Sequence, residues 1–128
     1  MLFIIDTYAW VEYFIGSKIG KRVKALFDDD KNTFITVECC LAELKGWSIR
    51  NNKHFHELLV IVETNSEVIP VSRKNWIEAA AIKSEMMKKI RDFGLIDAVL
   101  LAKQKELGCK IITADRHFKN LKAIEFLK

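Results

Sequence analysis

The sequence predicts an α/β fold in three layers, with a mostly parallel central sheet of four to five strands flanked by helices. Short apolar or β-branched runs alternate along the chain with longer segments whose apolar residues recur at helical spacing. The chain has 128 residues, of which 50% are hydrophobic and 30% charged, as is typical of a globular protein with a hydrophobic core. We therefore expect residues 1–128 to form a single domain.

Five segments have the composition of strands. Leu2–Ile5 is apolar, Thr33–Val37 is β-branched and aromatic, and Lys110–Thr113 contains two adjacent isoleucines. Shorter strands are predicted over 68–71 and near 123–127. The single proline of the chain lies in the segment 68–71, and proline cannot donate a ladder hydrogen bond. This strand is therefore expected to end there or to lie at an edge of the sheet.

The segments between the strands have the spacing of helices. Thr7 and Ser17 are expected to cap the first two helices, and Gly108 to end the last one in a left-handed conformation. Further helices are predicted over 38–50, 53–63 and 73–89. The acidic run at 28–30 is expected to be a solvated loop, the alternative being a cation site.

Two of these helices carry specific predictions of burial. In the helix over 73–89, the residues expected to face the core are Trp76, Ile77, Ala80, Ala81 and Met87. In the last helix, the residues expected to face water are Lys103, Gln104 and Glu106.

The charge and the cysteine content of the chain indicate its possible partners and its cellular compartment. A net charge of +4 is compatible with a polyanionic partner, and equally with a solvated lysine-rich surface. Cys39, Cys40 and Cys109 form no metal-binding pair and are odd in number, so buried free thiols in a reducing cytosol are expected. The N-terminal segment lacks the basic region of a signal peptide, and no aliphatic run approaches the ~20 residues that span a bilayer. We expect a cytoplasmic protein that does not enter the membrane.

Four acidic residues carry the functional prediction, because each lies in or beside an apolar segment. Asp6 follows the first strand, Asp115 follows the fourth, Asp97 opens the last helix and Glu43 lies within the third. If the first and fourth strands are neighbours, Asp6 and Asp115 reach the same edge of the sheet, where chemistry gathers in open α/β folds. Carboxylates brought together repel unless a cation neutralises them, and oxygen ligands of this kind suit Mg²⁺ or Mn²⁺.

Each of these acids also has a simpler structural role as an alternative. Asp6 and Asp97 are suited to complement the start of a helix, and Asp115 is suited to shape a turn. Glu43 is suited to the exposed face of an amphipathic helix. Glu43 has a rival in Glu38, since five residues along a helix turn the side chain by roughly 140° and only one can face the site. The apolar neighbours of Glu43 favour it over Glu38.

Four segments resemble the acidic motifs of PIN-domain ribonucleases, especially the VapC-type toxins of prokaryotic toxin–antitoxin pairs: IIDTYAW, LAELKG, FGLIDAVLLAKQKELG and IITADRHF. They occur in the family's order and span almost the whole chain. The resemblance implies a PIN-like fold and an endoribonuclease that hydrolyses RNA phosphodiester bonds with Mg²⁺ or Mn²⁺. It also implies a set of metal-binding and catalytic residues, namely Asp6, Glu43, Asp97 and Asp115, with Thr113 as a catalytic hydroxyl that orients carboxylates or water.

The residues around these acids are expected to contact the substrate. Phosphates are expected at a rim formed by Lys45, Arg91, Arg116 and Lys119, together with Thr7, which matches the hydroxyl residue that often follows the first acid in the family. His117 is expected at the surface, without a metal-binding role; the alternative, since it lies close to Asp115, is contact with the substrate.

The resemblance further implies a homodimer that is neutralised by a small antitoxin. The antitoxin groove is expected to include Trp47, Phe55 and Leu59. Two alternatives remain: a stand-alone PIN-domain nuclease of RNA processing, and a non-catalytic RNA-binding or assembly module with this fold.

Overall fold

The central sheet has five strands, all parallel, in the order β3-β2-β1-β4-β5. The computed structural model describes residues 1–128. The strands are β1 (Leu2–Ile5), β2 (Thr33–Val37), β3 (Glu67–Ile69), β4 (Lys110–Thr113) and β5 (Ile124–Phe126). The prediction of a mostly parallel sheet is confirmed, and β3 lies at an edge and ends immediately before Pro70, as the proline requires.

Six helices cover the two faces of this sheet, which confirms the three-layer α/β prediction. They are α1 (Thr7–Ile15), α2 (Lys18–Phe27), α3 (Cys39–Arg50), α4 (Phe55–Asn65), α5 (Arg73–Met86) and α6 (Leu95–Leu107), and a short 3₁₀ helix follows β4 at Arg116–Phe118. Helix α4 begins two residues later, and α5 ends three residues earlier, than the sequence predicts.

The alternation of side chains along the central strands builds a separate core on each face. Ile4 and Ile111 are fully buried in the core beneath α5 and α6. Ile5 and Ile112 point the other way, into the core that includes Trp10 of α1. Because β1 and β4 are covered on both faces, nearly continuous apolar runs are the sequences that suit them.

The ends of the helices follow their local sequence with one exception. Ser17 caps α2 by accepting a hydrogen bond from the Gly20 amide at 3.0 Å, and Gly108 ends α6 with a φ of 61°. The expectation that Thr7 caps α1 was wrong. Asp6 is the cap, and its Oδ1 accepts from the Ala9 amide at 2.8 Å.

The predicted inner face of α5 was wrong. All five residues expected to face the core are exposed, namely Trp76, Ile77, Ala80, Ala81 and Met87. The helix instead buries Asn75 and Ala79. Asn75 turns inward because its amide donates to Glu106 Oε2 of α6 at 2.6 Å, a pairing that hydropathy does not reveal.

A second contact of Glu106 accompanies an error in the prediction for α6. Lys103, expected in water, is only 6% exposed, and its Nζ lies 3.6 Å from Glu106 Oε2. Its long aliphatic chain is thus covered while its charge has a partner.

Two further expectations are addressed by the structure. Cys39, Cys40 and Cys109 are buried free thiols, as predicted. None of the six helices is both long and apolar enough to cross a membrane.

The close approach of α1 and α2 gives a first testable prediction. A Cβ added at Gly20 would lie 2.1 Å from the Glu12 carbonyl oxygen, which is far inside van der Waals contact. Gly20→Ala should therefore lower the free energy of unfolding by about 2–3 kcal/mol, measured by chemical denaturation.

Gly46→Ala is the matched control for this substitution. Gly46 is also helical, but its new Cβ would meet only the mobile end of Arg50 at 3.2 Å. This variant should equal or exceed the wild type in stability, by up to about 1 kcal/mol, because alanine favours helix. Equal stability of the two variants would contradict the tight contact between α1 and α2.

Candidate functional site

The pairing of β1 with β4 places two of the predicted acids at one edge of the sheet. Ile5 is opposite Ile112, and the Asp6 amide extends the ladder by donating to the Ile112 carbonyl at 3.2 Å. Asp6 and Asp115 thus emerge side by side at the carboxyl ends of the two strands, where open α/β sheets place their sites.

A hollow of about 410 Å³ lies at this edge, and all four predicted acids line it. Asp6 comes from the end of β1, Glu43 from the middle of α3, Asp97 from the first turn of α6 and Asp115 from the segment after β4. The other lining residues are Thr7, Tyr8, Val11, Glu12, Trp47, Arg50 and Leu100. Residues far apart in the sequence therefore share one concave surface.

Asp6 is the most deeply buried of the four acids, at 4% exposure. Burial raises the pKa of Asp6 to about 7; hydrogen bonds from the Thr113 hydroxyl and the Ala9 amide oppose the increase, and the nearby charges of Asp115 and Asp97 add to it. The carboxyl group is therefore held in one orientation in an environment that disfavours its charge.

Two threonines fix the orientation of the acids. The buried Thr113 hydroxyl donates to Asp6 and accepts from the Asp115 amide at 2.9 Å, so it joins the ends of β1 and β4. Thr7 Oγ1 donates to Glu43 Oε1 at 2.6 Å. Burial of the carboxyl group raises the pKa of Glu43, against the effect of this hydrogen bond, and the charges of Asp97 and Asp115 raise it further.

Asp97 lies at the third position of α6, where its Oδ2 accepts from the Gly94 amide at 3.4 Å. Burial raises the pKa of Asp97, and the charge of Asp115 adds to this, while a hydrogen bond with His117 opposes it. Asp115 caps the short 3₁₀ helix by accepting from the His117 amide at 2.9 Å. Asp97 therefore also complements the start of a helix, and Asp115 also shapes a turn, as the structural alternatives to metal binding predicted.

The expectation that His117 is a surface residue was wrong. Its side chain is 14% exposed, and its Nδ1 lies 3.0 Å from Asp97 Oδ2 and 3.7 Å from Asp115 Oδ1. Partial burial lowers the pKa of His117, but the hydrogen bonds to Asp97 and Asp92 and the charge of Asp115 reverse this and leave the pKa above its usual value. Its position two residues after Asp115 is visible in the sequence, but the approach of Asp97 to the ring is not.

Of the two glutamates considered as ligands, Glu38 and Glu43, only Glu43 faces the site. Glu38 is the N-cap of α3, and its Oε1 accepts from the Val71 amide at 3.0 Å, which ties the start of α3 to the segment after β3. Glu38 does not line the hollow, whereas Glu43 does.

The basic residues predicted for the rim lie outside the hollow. Lys45 Nζ lies over the Phe55 ring, 5.3 Å from its centroid, and Lys119 is exposed. Arg91 and Arg116 line a separate depression together with Asp92 and His117. The cation within the hollow is Arg50, which the prediction missed. It lies seven residues after Glu43, two turns along the same face of α3, so helical spacing could have found it.

The donor set of the hollow suits a hard divalent cation. Three of its four acids have raised pKa values, so burial and mutual repulsion disfavour their charges, and a cation would relieve that strain. One ligand atom from each of Asp97, Asp115 and His117 lies within 4.8 Å of the others. Asp6 and Glu43 line the same hollow outside this tighter group.

Comparison with known proteins identifies a family and a fold. A family model for the PIN domain matches residues 3–124. The chain is similar in structure to VapBC2 from Rickettsia felis, solved with a promoter DNA fragment, at a TM-score of 0.75 and 19% identity, with 100% of both chains covered. It is also similar to VapC20 from Mycobacterium tuberculosis, a toxin that cleaves the sarcin–ricin loop, at a TM-score of 0.77 and 18% identity, with 98% of this chain and 99% of that one covered. DNA-bound VapBC from Salmonella typhimurium matches at a TM-score of 0.67 and 19% identity, with 100% of both chains covered. No curated protein sequence matches the chain.

The raised pKa of Asp6 predicts a specific dependence of stability on pH. Because the pKa of Asp6 is about 7 in the fold and near 3.8 for an exposed aspartate, the protonated form of Asp6 favours the folded state. The contribution of protonated Asp6 to the free energy of unfolding is complete below about pH 4 and is lost as the pH rises to 7. In buffer with a chelator, Asp6→Asn should match the wild type at pH 4 and be more stable at pH 7, by about 1–3 kcal/mol. The asparagine side chain can still accept from the Ala9 amide.

Denaturant unfolding at pH 4, 5.5 and 7 measures this difference. Asp30→Asn, in the exposed turn after α2, is the control and should stay within about 0.5 kcal/mol of the wild type throughout. A stability difference for Asp6→Asn that does not change between pH 4 and 7 would contradict the burial of a strained carboxyl group.

Proposed function

This chain belongs to the PIN-domain family, and we propose that it is a metal-dependent endoribonuclease that hydrolyses RNA phosphodiester bonds. The observation that carries the proposal is the convergence of Asp6, Glu43, Asp97 and Asp115 in one hollow at the carboxyl edge of the sheet. These are the residues that match the acidic motifs of the family. Asp6, Asp97 and Asp115 also accept hydrogen bonds from backbone amides at the starts of helices, but those bonds do not require all four carboxylates to line one hollow.

The four acids would hold Mg²⁺ or Mn²⁺, with one or two ions in the hollow. When bound, such an ion supplies Lewis acidity towards water and towards the oxygens of a phosphate. Thr113 keeps the Asp6 carboxyl group in place from the β4 side, and Thr7 does the same for Glu43 from the start of α1. The protein thus holds its oxygen ligands in position before substrate arrives, so little reorganisation accompanies the reaction.

RNA would enter from the side of the hollow that carries Arg50 and Trp47. Arg50 is the cation that lines the hollow itself, and we assign it a contact with a substrate phosphate. Arg91 and Arg116, in the adjacent depression, would extend the contact along the backbone, with Lys45, Lys119 and Thr7 as further candidates. The half-buried Trp47, whose ring stacks with Phe14 at 6.2 Å, offers a surface for a base.

We further propose that the protein is the toxin of a toxin–antitoxin pair. Three of the structures with the same fold are VapC or VapBC proteins, and one of them is a toxin that cleaves the sarcin–ricin loop. A small antitoxin would cover the half-buried apolar residues Trp47, Phe55 and Leu59 of α3 and α4, next to the entrance of the hollow. The toxin would act in the cytoplasm as a homodimer.

Asp97→Asn tests the proposed activity. The purified wild type should cleave single-stranded RNA with Mg²⁺ or Mn²⁺ and lose this activity with a chelator. The variant should be at least about 100-fold slower, since losing a ligand costs more than losing a residue that supports one. Expression of the wild type, and not of the variant, should arrest growth unless the antitoxin is present.

Asp30→Asn serves as the surface control for the cleavage assay and should keep wild-type activity. If Asp97→Asn cleaves RNA at the wild-type rate with Mg²⁺ present, the assignment of the active site fails. If the wild type binds RNA without cleaving it under any metal condition, the protein is a binding module rather than a nuclease.

Two glutamates of one helix provide a matched test of the ligand set. Glu43→Gln should lower kcat at least about 10-fold, because it removes a charge from the hollow. Glu38→Gln should change kcat less than about 3-fold, since the amide oxygen can still accept from the Val71 amide. RNA cleavage at saturating substrate measures both, and the reverse ranking would mean that the wrong face of α3 has been assigned.

A further inference from the structure

The tightest group of potential ligands joins two acids of the hollow to a nitrogen from the adjacent depression. Its members are Asp97, Asp115 and His117, and the family resemblance assigns a role in metal binding only to the two acids among them. His117 comes from the turn after β4, and its Nδ1 faces the Asp97 and Asp115 carboxylates. This leaves the histidine without a role in the function proposed above.

We propose that His117 ligates a divalent cation through Nδ1, together with Asp97 and Asp115, and that this nitrogen makes the site selective for Mn²⁺ or a similar transition ion over Mg²⁺. The inference rests on the proposed function, because it concerns the same hollow. It adds a ligand and a metal preference that four carboxylates alone would not provide.

The spacing of the donor atoms fits a shared ion. Neighbouring ligands of an octahedral ion with bonds near 2.1 Å are separated by about 3 Å. His117 Nδ1 and Asp97 Oδ2 are 3.0 Å apart, and Nδ1 and Asp115 Oδ1 are 3.7 Å apart. An ion can therefore bind all three atoms with small movements of the side chains.

The other ring nitrogen has the partner that metal-binding histidines usually have. His117 Nε2 lies 3.2 Å from Asp92 Oδ1, and a carboxylate can only accept, so the hydrogen between them belongs to the imidazole. Without a metal, Nδ1 is hydrogen-bonded to Asp97; an ion between the two side chains would take the place of that hydrogen, while Nε2 remains the donor to Asp92. A carboxylate that orients a histidine from behind is the common arrangement around metal ions.

Packing holds the ring in this orientation. The buried Phe93 lies against it with a centroid separation of 5.8 Å, and the next residue, Phe118, is fully buried and anchors the turn. Asp92 is itself contacted by Arg116, whose Nη2 lies 3.4 Å from Asp92 Oδ2. The imidazole is therefore prepared for binding rather than free to rotate.

A nitrogen ligand changes which divalent ion the site prefers. Mg²⁺ prefers an all-oxygen environment, whereas imidazole favours later divalent ions. A site with two carboxylates and one imidazole should bind Mn²⁺ better than Mg²⁺ by a margin that disappears without the imidazole.

Pulsed electron paramagnetic resonance of the Mn²⁺-loaded protein tests the ligation directly, because a coordinated imidazole gives ¹⁴N modulation. The wild type should show this signal, and His117→Gln should lose it. By isothermal titration, His117→Gln should weaken Mn²⁺ binding about 10–100-fold while changing Mg²⁺ binding less than about 3-fold. Asp92→Asn should keep the ¹⁴N signal and weaken Mn²⁺ binding about 10-fold.

The other two histidines of the chain provide the control. His54 and His56 are exposed on and before α4, and the double substitution His54→Gln/His56→Gln should leave both the signal and the affinities unchanged. The wild-type signal does not depend on the folding of any variant.

The outcomes separate this inference from the function on which it rests. Mn²⁺ bound to the wild type without ¹⁴N modulation, or with modulation that survives in His117→Gln, would overturn the role of His117 and leave the nuclease proposal standing. If the wild type binds neither Mn²⁺ nor Mg²⁺, both the metal-dependent nuclease and the histidine ligand are excluded.

Discussion

The parallel pairing of β1 with β4 is the constraint on which the rest of the structure depends. It is made by residues buried on both faces of the sheet, with Ile4 opposite Ile111 and Ile5 opposite Ile112. Neither strand can shift by one residue without exchanging the side chains of the two cores. The apolar packing therefore fixes the position of Asp6 relative to Asp115 more firmly than any contact between the two acids would.

This arrangement has a cost in stability. Asp6, Glu43 and Asp97 have pKa values raised by burial, which means that the fold disfavours the charged form of each. The Ala9 amide and the two threonines offset part of this cost at Asp6 and Glu43. Groups that lower the stability of the empty protein in this way are expected at a site whose bound ligand restores that stability.

The parts predicted correctly from the sequence are those that depend on local patterns. The strands were found because β-branched and apolar runs are short and bounded, and the acids stood out because they interrupt or follow those runs. The inner face of α5 was missed because it depends on Asn75 meeting Glu106 across two helices, and the burial of Lys103 because its charge pairs with Glu106 one turn along α6. His117 was missed for a similar reason, since its environment comes from Asp92, Asp97 and Asp115, and only the last is its close neighbour in sequence. Pairwise contacts between polar groups leave no periodicity in the sequence.

In the proposed nuclease, the charge distribution in the hollow would couple the binding of metal and RNA. Four carboxylates without a cation would repel a phosphodiester, and Arg50 alone does not balance them. A divalent ion at the acidic end would change the sign of the interaction, so that a phosphate is attracted where it was repelled. Arg50 and Trp47, which line the same hollow, would then hold the adjacent phosphate and base. On this reasoning the proposed nuclease would need the metal for its substrate to bind as well as to react, and the acids would act as one unit with the ion rather than as separate catalytic groups.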